Sequence, residues 1–290
     1  MKIEFLFYIV ISAFLHALYN LYMRKSVGNR LFLSWMFIFS AIWGGIYLLI
    51  HGNKSPIPWE SIPFVFAAAI FYWIYQVLVS QSYQRGDISR YYPLTVLSPM
   101  FIPIWATLFL GEHISIISGL GILVAITGAL TVKLNAFNMK EVKKMFSFSS
   151  DYSGARFALG ASVMYSFGAV LDKARIASFP LPVYLVILLF FMSIDGLIYS
   201  SFLEKEKLVP YFLQNWKPII ISGFIVFLSF ITFREALRAV PVSLAVPIRQ
   251  VAIIFAILLG IFRLKEKVRL GSIIGSAIII LGILLVNAGS

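Results

Sequence analysis

The sequence has no cysteine, only 3 histidines and few charges, with Asp, Glu, Lys and Arg making up 12% of its 290 residues. Without cysteine there is no disulfide, no thiolate nucleophile and no cysteine-held metal. His16, His51 and His113 stand far apart, and none has a partner at ligand spacing. No nucleophile–base pair, phosphate-cradling loop or cofactor motif is present. Catalytic residues, a metal and a cofactor are therefore all expected to be absent. Soluble domains are about a quarter charged. Half that charge, a 60% hydrophobic composition and a mean hydropathy of +0.92 leave more apolar surface than one soluble core can hide. The composition is that of a polytopic membrane protein.

Acidic residues are the scarcer sign: 12 against 24 Lys and Arg, for a net charge of +12. In a soluble chain that excess would suggest nucleic acid. Here the basic residues lie in short gaps between apolar runs, where loop charges sit beside anionic lipid headgroups, so no nucleic-acid partner is expected. The apolar runs number ten, roughly 3–23, 31–51, 61–83, 88–110, 116–133, 155–172, 181–202, 217–237, 241–262 and 269–287. Each is near the ~20 residues that carry a helix across ~30 Å of hydrocarbon, and at such lengths only helices satisfy their own backbone there. The first run follows a single Lys, as a signal peptide does, but its length and polar HALYN stretch argue against that reading.

Two parts of the chain repeat. Residues 239–286 lie over 85–132 at a constant offset of 154, bringing Ser243 onto Ser89, Pro247 onto Pro93, Leu264 onto Leu110 and Glu266 onto Glu112. Ser272, Gly275 and Gly282 fall on Ser118, Gly121 and Gly128. Proline, glycine and glutamate are scarce in apolar segments, so these coincidences outweigh matched Ile or Val. The longest polar gap, Leu134–Gly154, divides the runs into two sets of five. The reading is an all-α membrane protein of ten transmembrane helices, with a first repeat at 1–137, a linker at 138–153 and a second repeat at 154–290. An odd number of spans per half makes the repeats inverted, and secondary transporters built this way hold substrate near the midplane between the halves.

The gaps that share a side with the linker hold seventeen Lys and Arg, against six on the other side including both termini. The positive-inside rule then places the linker in the cytoplasm and both termini outside it.

HALYN at 16–20, YQRGDISRYYPL at 83–94 and LGE at 110–112 resemble the drug/metabolite transporter superfamily, and more closely its ten-helix, EamA-type branch. DKARI at 172–176, ALRAVPVSLAVPIRQ at 236–250 and LKEK at 264–267 extend the resemblance over nearly the whole chain. It implies the two-repeat fold and transport of a small metabolite, and says little about which one.

The polar residues inside the runs are the candidates for that role. His16, Tyr19, Asn20 and Met23 share a helix face. They read either as interhelical hydrogen bonding or as a cavity wall, and the resemblance of 16–20 to the family's first-helix motif favours the wall. Tyr72, Tyr75, Gln76, Val79, Ser80 and Tyr83 form one side of the third helix, as packing or as lining. Pro93, Pro99 and Pro247 remove backbone donors and bend their helices. The repeated pair Pro93/Pro247 is the kind of matched interruption that marks a transporter's site. Arg249 lies ~12 Å into its run at 1.5 Å per residue. It reads as the only basic residue within a run beyond the end turns, either snorkelling outward, serving a structural ion pair, or anchoring a carboxylate, phosphate or sulfonate. Asp195 reads as the only acid deep in a span, for ion coupling or for pairing. Glu112 and Glu266 suit the positive N-termini of the helices they precede. Gly121, Gly128, Gly271, Gly275 and Gly282 allow close helix contact, within the chain or between two copies.

The expected function is secondary transport of a small polar or amphipathic metabolite, an amino acid or organic anion, by alternating access. The expected direction is efflux across the plasma membrane. His16, Tyr19, Asn20, Tyr72, Gln76 and Arg249 would bind substrate, Pro93 and Pro247 would gate, and Asp195 would couple an ion. Partners are the solute, membrane lipids and a coupling proton or ion, with the chain a monomer or homodimer. Flipping of a lipid-linked headgroup is the competing transport reading, and a membrane-embedded enzyme or sensor the competing class.

Overall fold

The computed structural model describes residues 2–26, 29–52, 56–85, 94–95, 97–131, 153–204, 207–264 and 270–289. The linker, Pro93 and Glu266 lie outside these. Among the described residues there are eleven α-helices and no strand: α1 (Ile3–Lys25), α2 (Arg30–His51), α3 (Ile62–Gln84), α4 (Ile102–Leu110), α5 (Ile116–Thr131), α6 (Ser153–Ile176), α7 (Leu181–Glu204), α8 (Leu208–Ala239), α9 (Val242–Arg249), α10 (Ala252–Leu264) and α11 (Leu270–Ala288).

Among the described residues six stretches are long and apolar enough to cross a membrane: α1, α2, α3 with its preceding turn, α7, α8 and the α9–α10 pair. The fifth and tenth runs form shorter apolar helices, and the sixth forms α6. The fourth is represented by a 3-10 turn over Ser98–Met100 followed by α4, with Pro99 and Pro103 in their first turns. The ninth is interrupted between α9 and α10, where Gln250 and Val251 make i to i+3 bonds back to Pro247 and Ile248. Pro247, three residues before the break, lacks the N–H that would bond Ser243 O and so weakens α9 ahead of it. In α8, Asn215 is non-helical (φ −125°, ψ 20°) three residues before Pro218, a kink with the same cause.

The helix ends are set by ordinary local chemistry. Asn29 caps α2 through its side-chain oxygen, which accepts from Leu31 N (2.8 Å) and Phe32 N (3.3 Å). Gly111 ends α4 in the left-handed region at φ 65°, and Glu112 N bonds back to Ala106 O at 3.2 Å. That turn aims the Glu112 side chain away from its own helix. Its carboxylate accepts from Val242 N (2.9 Å) and from Ser243 N (3.1 Å) and Oγ, capping α9, which has no side-chain cap of its own. The expectation that Glu112 serves the helix it precedes is thus corrected. A carboxylate at a helix N-terminus accepts otherwise unpaired N–H groups, and the free terminus within reach is that of α9, in the other half.

Specific contacts give the helix directions. α2 and α7 run antiparallel, with Ser34 Oγ donating to Gly196 O at 2.9 Å and Gly44 set against Val186 and Leu189. α3 and α6 are antiparallel as well, since Gly168 meets Phe71 and Tyr72 while Gly160 meets Leu78. α2 and α8 are parallel through the ring pairs Trp43–Phe224 and Tyr47–Phe227. In the centre, Ser12 Oγ donates to Ser229 O (2.8 Å) and Ser229 Oγ to Ser12 O (3.1 Å), tying α1 to α8.

The repeated glycines meet inside the chain. A Cβ on Gly121 would lie 2.5 Å from Val286 N and 2.8 Å from Gly282 O, and one on Gly128 would lie 2.7 Å from Ile279 N and 2.9 Å from Gly275 O. α5 and α11 therefore cross antiparallel at backbone contact, Gly121 beside Gly282 and Gly128 beside Gly275. Lipid tails are as apolar as the side chains, so close approach of small residues supplies the attraction. We expect Gly282→Ala, whose Cβ would lie 2.5 Å from Ala125 N, to lose about 1–3 kcal/mol by overpacking. Gly119→Ala, with nothing within 4 Å, should be neutral or slightly stabilising. Thermal unfolding of the two purified variants checks the contrast, and equal melting temperatures would refute the contact.

Candidate functional site

Arg249 is the last residue of α9, where the interrupted helix leaves its side chain facing inward. Its relative exposure is 8%. Nη1 donates to Tyr165 Oη on α6 at 3.1 Å, and Nη2 donates to Ser229 Oγ on α8 at 3.0 Å and lies 3.4 Å from His16 Nδ1 on α1. The guanidinium carbon stands 4.3 Å from the Phe233 ring centroid, and Nε is buried without a hydrogen-bond partner. The side chain thus joins three helices from both parts of the chain. Every one of these hydrogen-bond partners is neutral or, for His16, carries no negative charge.

Two small adjoining spaces surround it, with cavity volumes of about 30 and 10 Å³. They share His16, Tyr75, Tyr165 and Arg249. The first continues past Thr95, Ser98 and Gln250, and the second past Tyr19, Tyr72, Gln76 and Arg234. In this conformation the chamber has room for little more than water, and its walls offer aromatic faces, a few polar contacts and one uncompensated cation, the kinds of group that contact an amphipathic solute.

Five of the six residues expected to bind substrate, His16, Tyr19, Tyr72, Gln76 and Arg249, line these spaces. Tyr19 Oη and His16 Nδ1 are 2.8 Å apart. Asn20 is not on the wall: its amide donates to His16 O at 2.8 Å, one turn back in the same helix. A short polar side chain in a helix has that carbonyl within reach. Asp195 does not line the chamber either. It faces a separate groove with Ile70, Trp73 and Tyr199.

Two further charges are buried, though both lie in the end turns of their runs. Arg234, 3% exposed, and Asp172, 0% exposed, form a buried ion pair between α8 and α6, Nη2 to Oδ2 at 2.6 Å, with Nε to Oδ1 at 3.3 Å. Tyr72 Oη donates to the same Oδ2 at 2.8 Å. Both charges sit near the ends of their apolar runs and so resemble loop charges. The available signal was their opposite sign at the same end of two helices entering from the same side. Tyr165 and Ser229 gave no signal, because isolated hydroxyls are common in apolar helices.

A multi-pass helical membrane protein with a polar chamber walled by helices from both parts of the chain has the architecture of a transporter. Residues 4–134, and again residues 152–288, match the EamA-like transporter family. The chain belongs to that family, and it is a membrane transporter of the drug/metabolite transporter type. Among solved structures, 28 chains match. One crystal structure superposes with a TM-score of 0.77 at 16% identity, covering 99% of this chain and 98% of the other, which shows a shared fold. No curated protein matches the sequence.

Removing one member of a buried ion pair strands the other charge and costs about 3–5 kcal/mol, whereas replacing both with apolar groups is often close to neutral. Asp172→Ala should accordingly lower the melting temperature sharply, and adding Arg234→Met should restore much of it. A double variant no more stable than Asp172→Ala would argue against the pairing.

Proposed function

We propose that the chain is a secondary transporter that moves a small amphipathic organic acid or amino acid out of the cell across the plasma membrane, by alternating access of two inverted five-helix repeats. The single observation that carries the reading is Arg249. It is a buried guanidinium at a helix interruption, open to a chamber and bonded only to groups without negative charge. A charge in a poorly hydrated space attracts an anion more strongly than it would in water, and the guanidinium fork matches a carboxylate bidentately. Arg249 takes the anionic end of the solute. His16, Tyr75 and Gln76 contact the remainder.

The inversion is supported by the constant offset of 154 and by the antiparallel packing of corresponding helices, α2 on α7 and α5 on α11. The repeats are placed at 1–137 and 154–290, with a cytoplasmic linker and extracytoplasmic termini from the distribution of basic residues. Pro247 lies in α9 two residues before Arg249, and Pro93 holds the matching position in the first repeat.

A melting-temperature screen against amino acids and organic acids identifies a ligand, because a solute that binds only the folded form raises stability. Arg249→Ala should then weaken binding by about 1.5–3 kcal/mol, the worth of a hydrogen bond to a charged group, or roughly ten- to a hundredfold. Arg249→Lys keeps the charge, loses the fork and should fall between. Wild-type affinity in a folded Arg249→Ala protein would defeat the anchor role. For orientation, a cysteine introduced at Asn138, in a chain with none, should resist a membrane-impermeant thiol reagent in intact cells. Ready labelling would reverse the topology.

A further inference from the structure

Asp195 lies in α7, nine residues from its end at Glu204, roughly 13 Å along the axis at 1.5 Å per residue. It stands in a groove of about 380 Å³ between α3 and α7, walled by Ile70, Trp73, Ile198, Tyr199 and Phe202. The groove opens on the outer face of the bundle, where Ile198 is 51% and Phe202 86% exposed. In a membrane that face meets hydrocarbon. It shares no lining residue with the Arg249 chamber, and α3 separates them: Tyr72, Tyr75 and Gln76 face inward while Ile70 and Trp73 face the groove.

The chemistry of this groove is specific. Asp195 Oδ2 is buried and has no hydrogen-bond partner. An unpaired carboxylate at such depth is costly, and acids there normally find a partner or serve a ligand. The nearby cation, Arg30, stands 5.6 Å from the Tyr199 ring centroid and leaves that oxygen unpaired. Trp73 and Tyr199 meet edge to face at 6.1 Å, and indole and phenol faces attract cations. Hard metal ions call for six or more oxygen ligands, and the groove offers one carboxylate among apolar side chains. A hydrophobic organic monocation fits all of these features. Its charge pairs with Asp195 and the aromatic faces, and its apolar body lies against Ile198 and Phe202, in contact with lipid.

We propose that the α3–α7 groove is a lateral binding site for a hydrophobic organic cation, distinct from the inner chamber, with Asp195 as its counter-ion. The site is tested with the purified full chain in phosphatidylcholine nanodiscs and radiolabelled tetraphenylphosphonium as probe. The expected result is saturable binding at one site per chain, weakened at least tenfold by Asp195→Asn and several-fold by Trp73→Leu. Because Oδ2 has no partner to lose, Asp195→Asn should melt at the wild-type temperature. Should that variant fold poorly, Ile198→Trp provides a second route, since it fills the groove from an exposed position and leaves the carboxylate in place. It should abolish binding. Absence of saturable binding to the wild type, or equal affinity in Asp195→Asn, would overturn the proposal. Binding that survives Ile198→Trp, or that is lost in Arg249→Ala, would place the cation elsewhere and overturn it too.

Discussion

Hydrocarbon supplies no hydrogen bonds, so a polar group placed within a bilayer must find its partner inside the protein. The fold can be understood from that constraint. Ser12 and Ser229 exchange hydroxyl-to-carbonyl bonds between α1 and α8. Ser34 bonds across to α7. Lys173 Nζ, at the end of α6, donates to Leu237 O and Val240 O at the end of α8. Asp172 and Arg234 neutralise each other. Each device satisfies a group that would otherwise be stranded, and each ties together helices distant in sequence. Polar residues here act as the cement of the bundle, a role that apolar side chains cannot fill when the surroundings are equally apolar.

Against that background the incomplete cases stand out. Arg249 has partners for both terminal nitrogens, yet none carries the opposite charge. Asp195 leaves one buried oxygen unbonded. Both face open space, and both are walled by aromatic rings. They differ in what the space adjoins. The Arg249 chamber lies between helices from the two parts of the chain. The Asp195 groove lies on the outer surface between two helices and faces lipid.

The interruption of the ninth run serves the same economy. A continuous helix would keep its backbone satisfied but would carry Arg249 along a regular face. Between Arg249 and Ala252 the chain passes through i to i+3 bonds, Gln250 N to Pro247 O and Val251 N to Ile248 O. At the other end of α9 the N–H groups left over by the helix start are met by Glu112, reaching across from the α4–α5 turn because Gly111 adopts a left-handed conformation. A reach of this kind fixes the α4–α5 turn against α9. It makes the LGE stretch a contact between the two parts of the chain as well as a helix stop.

Much of the fold was legible in the sequence. Hydropathy alone fixes an all-helical membrane protein, because run length and backbone satisfaction leave no alternative in lipid. The offset of 154 marked Gly121, Gly128, Gly275 and Gly282 as special, and HALYN together with PIRQ singled out His16 and Arg249. The sequence could not say that these glycines face one another, or that Arg249 meets Tyr165 and Ser229, because helix rotation is set by packing against neighbours that periodicity does not specify. It passed over Asp172 and Arg234 because a charge near a helix end looks the same whether it turns to water or inward. It placed Asn20 on a cavity wall, though a nearby backbone carbonyl claimed its side chain. Class, span and repeat follow from composition and order along the chain, which are one-dimensional. Which polar groups pair, and which are left facing open space, is decided only when the helices are set side by side, since in lipid each partner must come from another part of the same chain.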